Sequence, residues 1–179
     1  RLMLQLTEVH LQALDGRAPA LVLSGQTSAV ADGARPQGKG WMNVPWTVVS
    51  DLSGVYHIPK KAGRQPQTVE AMLRGVWQAG AVKVDELSLR ADAAQALLKG
   101  AATYKAPQTV GDRWIWQTKA QLQVKDFDPQ VWLPWPQAWA GANRLQGQLD
   151  LDANSTWVGQ AALRLDASTL AGTPIQGQA

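Results

Sequence analysis

Strict alternation of side-chain type is the feature that most restricts this chain. Between Met42 and Ile58 the even positions read Met42, Val44, Trp46, Val48, Ser50, Leu52, Gly54, Tyr56 and Ile58, while Asn43, Thr47, Asp51, Ser53 and His57 stand at odd ones. Successive side chains of a strand point to opposite faces, whereas a helix brings every third and fourth residue together, so a period of two selects strand. The pattern returns at Val69, Ala71, Leu73, Gly75 and Trp77, and again at Trp114, Trp116, Thr118, Ala120, Leu122 and Val124. Leu145, Gly147, Leu149, Leu151 and Ala153 form another such face, and Trp157, Gly159, Ala161, Leu163, Leu165 and Ala167 the next. Each reads as an antiparallel strand, apolar on one side and wet on the other. Asn154 to Thr156 is the clearest of the short polar turns.

A second regularity overlies the first. Leu23-Ser-Gly25, Leu52-Ser-Gly54, Leu73-Arg-Gly75, Leu98-Lys-Gly100, Leu145-Gln-Gly147 and Ile175-Gln-Gly177 repeat a large apolar residue, any residue and glycine. Their spacing of roughly 20 to 30 residues, once about double, is that of a strand pair with its turns. Glycine weakens a strand but permits a bend, so glycine at one level of each unit predicts a sheet that curves there. Asp32 to Gly40, Pro59 to Thr68 and Pro107 to Asp112 read as surface loops. Ala91 to Lys99 has helix-compatible composition. It is flanked by the alternating Leu87, Leu89 and Gly100 to Tyr104, and we read it as strand.

Strand rhythm is already under way at Leu2, Leu4 and Leu6 and continues to Ile175 and Gly177, which reads as a single repetitive segment, residues 1–179, cut from a longer protein. No apolar run approaches the roughly 20 residues of a membrane-spanning helix. With no cysteine, thiolate metal sites are excluded, and a net charge of +3 with 17% charged residues lacks the dense basic face of a nucleic-acid binder. Nine tryptophans against two tyrosines and one phenylalanine make tryptophan the main aromatic.

Chemical motifs are sparse. Gly33 to Gly40 nearly spells a phosphate-binding loop, but Gly40 stands where Ser or Thr must hold magnesium, and Trp41 to Val49 reads as strand rather than helix. Asp150, Asp152 and Asn154 begin like a calcium loop, yet Ser155 and Ala161 occupy the positions of the required glycine and glutamate. Asp126 and Asp128 are a carboxylate pair, but their place before Pro129 suits a turn. His10 and His57 lie far apart with no ligand cluster. We therefore expect no catalytic residue, no metal and no cofactor. Trp132, Trp135 and Trp139, broken by Pro134 and Pro136, suit a plug on a core or an interface anchor, and packing is the preferred reading. Lys60, Lys61 and Arg64 form a solvated basic loop.

The runs Asp126-Phe-Asp-Pro-Gln-Val-Trp-Leu-Pro134, Asn143-Arg-Leu-Gln-Gly-Gln-Leu-Asp-Leu151 and Ser168-Thr-Leu-Ala-Gly-Thr-Pro-Ile-Gln-Gly177 resemble the TamB-type, AsmA-like family of periplasmic proteins. Val84-Asp-Glu-Leu-Ser-Leu-Arg90, Leu98-Lys-Gly-Ala-Ala102 and Trp114 to Val124 are similar to the family's strand rhythm, so the resemblance covers residues 81–179; residues 1–80 share the repeat style. It implies a Gram-negative envelope protein anchored in the inner membrane, whose elongated antiparallel sheet folds, taco-like, into an open apolar trough. Such proteins are implicated in carrying phospholipid to the outer membrane and, with the barrel partner TamA, in outer-membrane protein assembly.

On that reading the trough floor comprises Trp116, Leu122, Val124, Leu145, Leu149, Leu151, Trp157, Leu163 and Leu165, facing phospholipid acyl chains. Alternation alone is equally compatible with apolar faces sealed against one another, as in a structural or adhesive β-solenoid or sandwich. A carbohydrate-active enzyme with tryptophan platforms would require the Asp126 and Asp128 pair.

Overall fold

The structure is a computed structural model that describes residues 1–14, 16, 20–33, 44–57, 66–106, 113–132, 141–156 and 158–179. The glycine-rich stretch 34–40, the Lys60, Lys61 and Arg64 cluster, and Trp135, Trp139 and Trp157 lie outside these residues. Among the described residues ten strands form one open antiparallel sheet, each beside its sequence neighbours in the order β1 to β10. They are β1 (Leu2–His10), β2 (Leu21–Ala31), β3 (Trp46–Tyr56), β4 (Gln67–Gln78), β5 (Ala81–Ala91), β6 (Ala94–Lys105), β7 (Ile115–Phe127), β8 (Leu145–Asn154), β9 (Gly159–Leu170) and β10 (Thr173–Gln178). One-turn helices α1 (Leu11–Leu14) and α2 (Pro129–Trp132) follow β1 and β7. The all-β expectation holds, and the helix-compatible stretch is a tight turn at Asp92 leading into β6. Two boundaries move. Pro45 precedes β3 instead of interrupting it, and Gln67 and Thr68 pair with β3 instead of belonging to a loop.

Connections leaving the odd strands gather at one rim, which carries both helices; those leaving the even strands gather at the other. At the helical rim Leu21, Leu23, Tyr56, Val69 and Ala91 form a buried cluster with Val131 of α2. The Tyr56 hydroxyl donates to the Val131 carbonyl at 2.7 Å, and Pro129 is fully buried. β3 and β7 are four spacings apart, roughly 19 Å on a flat sheet. A one-turn helix covers only about 5 Å. Val131 therefore meets Tyr56 because the sheet curls toward its apolar face.

The bend has a local cause. Register shifts occur between Leu6 and Val9 on β1, and between Val84 and Leu87 on β5. They recur between Val124 and Phe127 on β7, and on β9 between Leu165 and Ser168, opposite Gly177 and Ile175. Each is a bulge, an extra residue that bends its strand and steepens its twist. Each adjoins a glycine across the pair: Leu6 faces Gly25, Val84 faces Gly75 and Gly100, Val124 faces Gly147, and Leu165 faces Gly147 and Gly177. A side chain at Gly147 would strike the Arg164 carbonyl oxygen of the neighbouring strand, so close backbone approach there requires glycine. Leu52-Ser-Gly54 is the exception, since β3 pairs with both neighbours without a shift.

Side chains repair what the bulges disrupt. The Glu8 N–H donates to Ser24 Oγ at 2.9 Å, and Ser168 Oγ both accepts from the Gln146 N–H and donates to its carbonyl, at 2.9 and 3.0 Å. The bulge on β9 also moves Ser168, not Ala167, onto the face of Leu165, correcting the uninterrupted alternation read from sequence.

Candidate functional apolar face

Cross-strand partners share a face, so the register itself assembles the candidate site. Leu73, Leu87, Leu98, Leu122, Leu149 and Leu163 are successive partners on β4 to β9, a row of leucines running across six strands. At about 4.8 Å per strand the row is roughly 24 Å long. Rows of glycine, alanine, valine and leucine flank it. Toward the aromatic rim described below the next row is Gly75, Val84, Gly100, Ala120, Leu151 and Ala161. Toward the helical rim it is Ala71, Leu89, Ala96, Val124, Gly147 and Leu165. The repeat glycines thus flank the leucines on both sides, with Gly54 one row further out beside Val69, and not at the single level expected from sequence.

The structure brings eight of the nine sequence-predicted floor residues onto this face. Trp116, Leu122 and Val124 stand on β7, Leu145, Leu149 and Leu151 on β8, and Leu163 and Leu165 on β9; Trp157 lies outside the described residues. None of the eight belongs to the buried cluster. Leu87, Leu151 and Leu163 remain 36%, 38% and 39% exposed. The prediction missed Leu73, Leu87 and Leu98, which continue the row. The signal was present in their alternation; Leu98 meets Leu122 on an unshifted ladder, whereas Leu73 and Leu87 join the row beside the β5 bulge.

The opposite face is polar and internally bonded. Asp150 accepts from Gln121 Nε2 at 2.9 Å and from Gln148 Nε2 at 2.6 Å, and these amides, Gln121 first, hold its carboxyl below the usual range. Lys119 pairs with Asp152 at 3.0 Å, Lys83 with Asp85 at 2.6 Å and Arg164 with Asp166 at 3.4 Å. Exposed pairs of this kind contribute at most about 1 kcal/mol each. Asp126 sits in the β7 bulge at positive φ and pairs with Arg144, while Asp128 accepts from the Gln130 N–H at 3.0 Å, the turn-forming role expected of it. Asn154 caps its turn by accepting from the Thr156 N–H at 3.0 Å. Among the described residues no three metal-ligating side chains converge. Among the same residues no helix is long and apolar enough to cross a membrane. No family model, curated protein or solved structure matches the chain.

Proposed function

We propose that this chain is a non-enzymatic segment of a TamB-type, AsmA-like protein of the Gram-negative envelope, and that its apolar face is a groove for phospholipid acyl chains moving between the inner and outer membranes. The six-leucine row carries this reading, because a contiguous apolar strip left partly open to solvent marks an interaction surface. The rows described contain no ionisable group, so nothing on them fixes a ligand at one point. Each buried CH₂ of a lipid contributes about 0.8 kcal/mol without any directed contact. A lipid whose acyl chains cross the row can move along it, exchanging one leucine for the next at nearly constant energy, so affinity and sliding are compatible. The resemblance of residues 81–179 supplies the setting: a periplasmic stretch of a parent anchored in the inner membrane, with the barrel TamA as its outer-membrane partner in protein assembly.

Photo-crosslinkers at Leu149 or Leu163 should capture phospholipid in cells, whereas those at Asp150 or Arg164, on the other face, should not. Equal yields from both faces would sink the proposal. The packed cluster around Val69 favours a second reading, a structural or adhesive scaffold with a sealed core. In that case purified protein carries no lipid in native mass spectrometry, and its tryptophan emission ignores detergent micelles.

A further inference from the structure

The groove has two unlike rims. At the helical rim, α2 and the Tyr56 cluster fill the end of the face. The other rim is lined with amphipathic rings. Trp46 is the direct partner of Trp77, and Tyr104 of Trp116. Trp77 Nε1–H donates to the Tyr104 hydroxyl at 3.1 Å across the intervening strand. Trp114 packs on Tyr104 with ring centroids 6.2 Å apart and is still 56% exposed. Lys105, next to Tyr104 on β6, pairs with Ile115 and so belongs to the opposite face.

We infer that a phospholipid lies in this groove in one orientation, with its phosphate headgroup over the aromatic rim and its chain ends directed toward the helical rim; this rests on the groove reading above. Tryptophan and tyrosine favour the headgroup level of a bilayer because their rings are apolar and their N–H or O–H groups are polar. The dimensions agree. Leu73 lies four residues from Trp77, and Leu122 lies six from Trp116. At about 3.4 Å per residue this places the leucine row roughly 14 to 20 Å from the rings. A single leaflet offers about 15 Å of hydrocarbon, half the thickness of a bilayer core. A lipid entering by its headgroup at the helical rim would have to displace Val131 and leave the Tyr56 hydroxyl buried without that acceptor.

Because the chain has no cysteine, a single fluorophore can be placed in Trp114→Cys, Leu122→Cys or Phe127→Cys variants of the whole chain. The probes are phosphatidylglycerol–phosphatidylcholine vesicles containing a lipid with a nitroxide either on its headgroup or near its chain end. Headgroup nitroxide should quench position 114 at least three-fold more than position 127, and chain-end nitroxide should reverse that order. Equal headgroup quenching at 114 and 127, with chain quenching at 122, overturns the orientation and leaves the groove standing. No quenching at 122 by either probe overturns both.

Discussion

From β2 to β5 the apolar face at the helical rim is packed, with Val69 at 0% and Tyr56 at 2% exposure, whereas from β7 to β9 the same face leaves Leu151 and Leu163 at 38% and 39%. Both regions carry the same alternation, so facing and burial are separate properties. What differs is what lies above the sheet. The chain leaving β7 turns back as α2 and places Val131 over the first region, and the curl of the sheet brings the two together. A period of two decides which side chains share a face, and only a covering element turns that face into a core.

The contrast breaks most readily at its extremes. Val69→Asp should cost more than about 4 kcal/mol, since an unpaired carboxylate would be buried. Leu163→Asp should cost less than about 1 kcal/mol. Urea titrations giving similar losses would show that the two regions are equally packed. The bulge-facing glycines come next. Gly147→Ala forces apart β8 and β9 and should cost about 1–3 kcal/mol. At Gly177, where an added methyl meets nothing within 4 Å, Ala should change stability by less than about 0.5 kcal/mol.

Two titrations sharpen the comparison. Tyr56→Phe removes the hydrogen bond to Val131 and should cost about 1 kcal/mol, with faster amide exchange in α2. Burial pushes the Tyr56 phenol above its ordinary value. Its contribution is therefore complete below about pH 10 and is lost as the pH rises toward the folded-state value, a slope that the phenylalanine variant should lack. The smallest effect belongs to Asp150 on the exposed polar face. Its lowered pKa gives a contribution present at neutral pH and lost as the pH falls through the carboxylate range, so Asp150→Asn should flatten the acid limb of the stability profile.

Much of this architecture was legible. Alternation located the strands, and leucine periodicity on β7 to β9 identified eight described residues of the open face. The bulges were not legible, because nothing in Asp85-Glu86 or Asp166-Ala167 says which residue is surplus until the facing strand is known. The glycine repeat recorded half of each bulge and concealed the other half on a neighbouring strand. Trp135 and Trp139 of the segment read as a plug or an anchor lie outside the described residues, and nothing in the sequence singled out Val131 as the covering residue. That Val131 reaches Tyr56, 75 positions earlier, follows only from the curl.

The bulges also determine where such a gene tolerates a change of one codon. Loss of Asp126 would leave Val124-Lys125-Phe127, a plain alternation that keeps Val124 and Phe127 on the groove side and merely straightens β7. Loss of Gln123, two positions before Lys125, would turn part of the strand inside out, exchanging apolar and polar faces until the bulge restored them. Frame-preserving insertions and deletions in relatives should therefore cluster at these kinks, letting chain length drift while the surface offered to a lipid stays the same.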